Sequence, residues 1–244
     1  MKKVSVFLAD GFEEIEGLTV VDLLRRAGVE VTSVSITGDY TIHGAHGIDV
    51  QADKLFEEMN YDEQDMLVLP GGMPGTLNLG AHKGLEELLN KFYDEKNYLA
   101  AICAAPSVFG KYGFLNGRRA TSYPGFEEQL TGAECVTDAV VVDEFVITSR
   151  GMGTAIPFSL NLIEVLIGSD KATEIGKAFN PEREKMFTNE AAYVNVLLLP
   201  TFITLVYLIS LFVFTFVILI LYSFTLWFSA VTLMVIIFSP TTRI

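Results

Sequence analysis

Residues 99–106 read Leu-Ala-Ala-Ile-Cys-Ala-Ala-Pro, an apolar run that stops at Cys103 and passes into small residues and a proline. That is the pattern of a buried strand ending in a sharp turn into a helix. A cysteine at such a corner projects its sulfur above the sheet. Its thiolate would feel the positive end of the next helix, which lowers a thiol pKa. The pattern therefore predicts an activated nucleophile or an oxidisable sensor. The competing reading is a structural cysteine, since free Cys is among the most buried residue types.

Two other segments could serve such a thiol. Glu13, Glu14 and Glu16 crowd the first turn of a helical pattern, where the helix dipole favours negative charge. Glu13 and Glu14 read as ordinary helix-start acids. Glu16, flanked by Ile15, Gly17 and Leu18, reads as buried. A buried carboxyl rises in pKa and stays protonated near neutral pH, so it could donate a hydrogen bond to a thiolate or shuttle a proton. Gly71-Gly72 follows a third apolar run and would present bare N–H groups to a ligand, as an oxyanion cradle does. Alone, this pair of glycines means no more than a tight turn, and no Gly-Lys-Ser/Thr follows to make it a phosphate loop.

The elements that must position these residues alternate. Residues 4–9 form a short β-rich run ending at Asp10-Gly11. Residues 15–27 carry Ile15, Leu18, Val21 and Leu24 at helical spacing, with Gly28 as a C-cap, and residues 29–36 form a second strand. Such alternation implies parallel strands with crossover helices. A glycine-bearing excursion over 39–53 reads as a hairpin, 66–69 and 98–102 as buried strands, and 85–93 and 104–112 as helices. A hairpin over 140–148, a helix over 154–167 ended by Gly168-Ser169-Asp170, and a last helix over 171–179 follow. Asp10-Gly11, Pro70-Gly71-Gly72, Cys103 and Arg150-Gly151 each follow a strand-like run, which gathers them at the carboxyl edge of an open α/β sheet, where ligands bind.

The net charge of −13 argues against a nucleic-acid partner, which wants a basic face. Cys103 and Cys135 are too few for a disulfide framework, and no metal-ligand spacing is present. Cys135 reads as structural. The start resembles a signal peptide only superficially, because its apolar run is short and acids follow at once. The α/β part is thereby expected in a reducing cytoplasm.

Taken together, Leu8-Ala9-Asp10-Gly11-Phe12-Glu13-Glu14-Ile15-Glu16, Arg25-Arg26-Ala27-Gly28, Leu69-Pro70-Gly71-Gly72, Ala101-Ile102-Cys103-Ala104-Ala105-Pro106 and Thr148-Ser149-Arg150-Gly151 resemble the DJ-one/ThiJ/PfpI family in its DJ-one-like bacterial branch. The resemblance covers residues 1–180. It implies a flavodoxin-like three-layer α/β sandwich with a mostly parallel sheet and a cysteine nucleophile elbow, usually as a homodimer. It implies Cys103 hydrogen-bonded to a protonated Glu16, with Gly71, Gly72 and the Ala104 amide around an oxyanion or an oxidised sulfur. Glu13, Arg26, Arg150 and Tyr123 fall in supporting positions. The implied activity is cofactor-free and metal-free, on small reactive dicarbonyls such as methylglyoxal or on early glycation adducts of proteins. Redox sensing through cysteine oxidation and chaperoning are the alternatives that the resemblance also carries.

Many relatives have a histidine where this sequence has Tyr123. Without it a Cys–His proteolytic pair lacks its base. His43 and His46 sit in the excursion over 39–53 and read as exposed loop residues or as visitors to a partner subunit's site; His82 reads as solvated. The expected chemistry is therefore glutamate-assisted thiol addition rather than proteolysis.

From residue 191 onward the only charged residue is Arg243. Residues 181–193 read as a linker and 194–238 as a hydrophobic helical tail. One helix over that tail would measure about 68 Å against a hydrocarbon core of roughly 30 Å, so two transmembrane spans, 194–216 and 219–238, fit better than one. One span plus an interfacial helix stays open. So does a tail without selected function, from a reading-frame change or a fusion, because the resemblance stops near residue 180.

Overall fold

The computed structural model describes residues 1–179. In chain order these form β1 (Lys3–Leu8), α1 (Glu14–Arg26), β2 (Glu30–Ser35), β3 (Thr41–His43), β4 (Asp49–Gln51), β5 (Lys54–Leu55), β6 (Met66–Leu69), α2 (Gly75–Ala81), α3 (Lys83–Asp94), β7 (Tyr98–Ile102), α4 (Pro106–Lys111), β8 (Arg119–Ala120), β9 (Glu134–Cys135), β10 (Val140–Asp143), β11 (Val146–Ser149), α5 (Ala155–Ile167) and α6 (Ser169–Phe179). The linker and membrane spans expected from residue 181 onward lie outside the described residues. Among the described residues no helix is long and apolar enough to cross a membrane.

The main sheet runs β10-β11-β7-β6-β1-β2-β5. All its pairs are parallel except β10 with β11. The stretch β2-β1-β6-β7-β11 has the strand order of flavodoxin-like folds. Side-chain alternation shows why both faces are covered. Val4, Val6 and Leu8 of β1 join one core with Val20 and Leu24 of α1 and Phe158 and Leu162 of α5. Phe7 points the other way, into a core with Leu89 and Phe92 of α3 and Phe109 of α4. A strand buried on both faces reads as a continuous apolar run, as Met66–Leu69 does.

The chain leaves β1 toward β2 on one side and returns to β6 on the other. The β1/β6 junction is thus the topological switch point, where a crevice opens at the carboxyl ends of the strands. Because crossover helices run back against the strands, the first turn of α1 also lies at that edge.

Three details depart from the sequence expectations. Gly75–Ala81 is helical, although Pro74, Gly75 and Gly80 dilute its apolar period. The helix after the elbow begins at Pro106 rather than at residue 104, because Ala104 and Ala105 make the turn and proline suits the first helical position. Gly168, at φ +101°, alone separates α5 from α6, which starts at Ser169.

Candidate active site

Cys103 ends β7 with φ +66°, a left-handed conformation that costs a non-glycine residue about 1–3 kcal/mol. The surroundings fix it there. Its N–H donates to the Ser149 carbonyl of β11 at 2.9 Å, and its own carbonyl accepts the Tyr123 N–H at 2.8 Å. The side chain is partly exposed.

Glu16 reaches the same point from α1 and is 1% exposed. Its Oε2 accepts the Gly71 N–H at 3.0 Å. Its Oε1 is buried without a geometrically good hydrogen bond, although the Cys103 side chain and the Met152 amide lie close enough to act on the carboxyl electrostatically. Gly71 is required where these two residues meet: a Cβ there would stand 2.6 Å from both Cys103 Cβ and Glu16 Oε2. Gly72 is required for another reason. Its φ is +96°, and a Cβ would lie 2.3 Å from the Glu13 nitrogen.

The sequence assigned both glycines to an oxyanion cradle, and the structure divides them. The Gly71 N–H is occupied by Glu16. The Gly72 and Ala104 amides are the ones that favour charge on the sulfur.

The electrostatics also correct an expectation. Burial pushes the Cys103 thiol up to about 12, and the neighbouring Glu16 carboxylate pushes the same way. The pull of the Ala104 and Gly72 amides, which favour the thiolate, is smaller than the push of burial, so the lowered thiol expected at the elbow is not found. Burial likewise raises the Glu16 carboxyl to about 7, opposed by its hydrogen bonds to Cys103 and Gly71. Two such neighbours titrate as a pair: the first proton leaves near 7 and the second far above neutrality, and between those limits the pair holds one proton and one negative charge.

Gly151 and Tyr123 form the facing wall. A Cβ on Gly151 would stand 3.1 Å from Tyr123 Cδ2 and 3.7 Å from both Cys103 Sγ and Glu16 Oε1. Tyr123 is 51% exposed and sits at the rim. Arg150, half-buried at the end of β11, donates its N–H to the Ala139 carbonyl, and its charge acts on Glu127.

The acids before Glu16 divide as well. The Glu13 N–H donates to the Gly71 carbonyl at 2.9 Å, fastening α1 to the glycine loop. Glu14, read from sequence as an ordinary helix-start acid, is 3% exposed. It accepts the His46 N–H at 2.7 Å and meets His46 Nδ1 at 2.8 Å, so the β3–β4 hairpin is tied to the site. Nothing local in the sequence signals that pairing. Ligand atoms of Glu13, Glu14 and His46 lie within 4.8 Å of one another, and the imidazole already answers both carboxylates.

Arg26 is not at the site. It ends α1, at the opposite edge of the sheet, where its Nε donates to Asp22 at 2.8 Å. His82 caps α3, its Nδ1 accepting the Leu85 N–H at 3.0 Å. Cys135 is exposed on β9, not packed in a core.

A cysteine elbow, a buried carboxyl and a glycine loop thus meet at the switch point of a mostly parallel sheet, which defines a class of α/β protein by its fold and crevice. Residues 2–165 match the model of the DJ-1/PfpI family, and the chain belongs to that family. It is 40% identical over 176 residues to protein DJ-1 homolog B of Arabidopsis thaliana, covering 71% of this chain and 40% of that protein; it spans 50% of the related homolog A. It is 35% identical over 167 residues to a deglycase of Pyrococcus abyssi, covering 67% of this chain and 99% of that one. Among solved structures it is similar to oxidised DJ-1 of Toxoplasma gondii, at TM-score 0.71 and 35% identity, covering 73% of this chain and 98% of that one.

Proposed function

We propose that the protein is a cofactor-free thiol enzyme acting on reactive dicarbonyls or on the early adducts they form with proteins. The observation that carries this reading is the pairing of Cys103 with Glu16, a carboxyl raised to about 7 by burial. The relationship to a deglycase supports the substrate class.

In this reading the Cys103 thiolate attacks the aldehyde carbon of methylglyoxal. A C–S bond forms, and the carbonyl electron pair moves to oxygen beside the Gly72 and Ala104 amides. Protonated Glu16 delivers its proton to that oxygen, giving a hemithioacetal. As carboxylate it then removes the hydrogen on the same carbon, the hydroxyl proton passes to the adjacent oxygen through the enediol, and the carboxyl returns its proton to the adjacent carbon, which turns the hemithioacetal into a thioester. Water cleaves the thioester, releasing lactate and the thiol. One carbon is oxidised and its neighbour reduced, so no outside oxidant or reductant enters.

Exposed Ile15 and Leu18 on α1, Ile48 beside β4, Met152 just before α5 and Ile156 in its first turn support a homodimer. We further place the domain's work in the cytoplasm, where both cysteines stay reduced. A second reading is redox sensing without turnover, favoured by partly exposed Cys103 and the oxidised state named for the Toxoplasma relative. The deciding experiment follows methylglyoxal loss and lactate formation by the full chain and by Cys103→Ser. Repeated turnover that needs Cys103 supports the enzyme. Folded protein without lactate moves the function to sensing, and unchanged lactate from Cys103→Ser rejects both.

A further inference from the structure

Gly151 faces the reacting pair, since a Cβ there would stand 3.7 Å from both Cys103 Sγ and Glu16 Oε1, and it has no side chain of its own to hold it in place. A continuous hydrogen-bond chain does so. The Gly151 N–H donates to Thr154 Oγ1 at 3.0 Å, Thr154 Oγ1 lies 2.7 Å from Ser149 Oγ, and Ser149 Oγ donates to the Ala139 carbonyl at 2.8 Å. Each hydroxyl has one proton to give: Ser149 gives its own to Ala139, and Thr154 Oγ1 faces both Ser149 Oγ and the Gly151 carbonyl, 2.8 Å away, as acceptors, so the Thr154 hydroxyl holds the Gly151 turn in either case. The Thr154 N–H closes the turn onto the Gly151 carbonyl at 2.8 Å. The backbone carbonyl of the same Ser149 holds the Cys103 N–H at 2.9 Å. One strand end therefore fixes both the nucleophile and, through two hydroxyls, the wall that faces it.

We propose that Thr154 is a positioning residue for the thiol chemistry: its hydroxyl holds Gly151 against Cys103 and Glu16, and so keeps water from Glu16 Oε1 and the sulfur. The inference rests on the reading of Cys103 and Glu16 as a reacting pair. Thr154 touches neither residue and acts through Gly151. Its loss would leave the Gly151 N–H and Ser149 Oγ without their partner and free the turn that spans 151–154. Water admitted to the pair would relieve the desolvation that raises the carboxyl.

The test measures Cys103 alkylation by iodoacetamide against pH in the full chain, by peptide mass spectrometry, for wild type, Thr154→Val and Thr154→Ser. The expected result is a midpoint about half a pH unit or more lower in Thr154→Val, with lactate turnover reduced about tenfold, and both restored in Thr154→Ser. If Thr154→Val does not fold, Ser149→Ala cuts the same chain one hydroxyl further on and is read in the same way. An unchanged midpoint in the variant that folds overturns the proposal. Equal shifts in Thr154→Val and Thr154→Ser overturn it too, because the methyl rather than the hydroxyl would then matter. A wild-type midpoint that Glu16→Gln does not move would instead defeat the pair reading itself.

Discussion

Glu16 Oε2 accepts the Gly71 N–H at 3.0 Å, which fixes the carboxyl against the loop that also faces Cys103. The contact explains how a helix-start acid becomes part of a thiol site. It anchors one oxygen and leaves Oε1, buried on the side of Cys103 and the Met152 amide, for the proton.

Glu16→Gln keeps an acceptor for Gly71 but removes the acid. Lactate formation is expected to fall about 10²-fold or more, the usual range for losing a general acid–base group. Circular dichroism and thermal unfolding check that the fold is retained. A loss below about threefold would remove Glu16 from the mechanism.

The same carboxyl links stability to pH. Its ordinary value of 4.5 is raised to about 7 in the folded protein, chiefly by burial. A carboxyl raised on folding contributes stability that is fully present below 4.5 and lost as pH rises through about 7. Compared with Glu16→Gln, the wild type should therefore weaken between pH 5 and 8 by on the order of 2–3 kcal/mol. Denaturant unfolding of both proteins at the two pH values measures this, and parallel pH dependence would refute it.

Gly71→Ala places a methyl 2.6 Å from Cys103 Cβ and Glu16 Oε2, well inside van der Waals contact. It should destabilise the fold by about 1–3 kcal/mol and abolish turnover together. Stable protein with normal turnover would mean the loop is looser than its geometry.

His46→Ala tests the tie between hairpin and helix. Burial pushes the Glu14 carboxyl up, but the hydrogen bonds from the His46 ring and from the backbone, with the imidazole's charge, together outweigh it and hold the carboxyl below its ordinary range. The bond to the ring also raises the His46 imidazole. The Glu14 contribution is lost as pH falls below the carboxylate range, and the His46 contribution as pH rises past the imidazole range. The variant's loss of Tm, about 2–4 °C, should therefore be largest between pH 5 and 6.5 and shrink on either side. A loss independent of pH would show that packing, not charge, is involved.

Much of this was legible in the sequence. The run Leu99–Ile102 into Cys103 announces the elbow because strand burial and turn chemistry are local properties. Glu16 was readable from its apolar neighbours. Gly75–Ala81 was not, because its helix is held by tertiary packing against its weak local period. The burial of Glu14 depends on His46, thirty-two residues away, and the raised thiol depends on desolvation by several elements at once. Arg26 shows the opposite error: a motif in register with a family still places its residues at both ends of a helix, and only one end meets the site.

The central claim, that Cys103 and Glu16 share one proton, is tested most directly by the pH dependence of Cys103 alkylation in the full chain and in Glu16→Gln, with Cys135→Ser in both to remove the exposed second thiol. The expected midpoint lies well above the free-thiol value in the parent, because burial and the Glu16 carboxylate both disfavour the thiolate, and at least about one unit lower in Glu16→Gln, where the thiol ionises without a neighbouring negative charge. Identical midpoints near the free-thiol value of about 8.5 would contradict it.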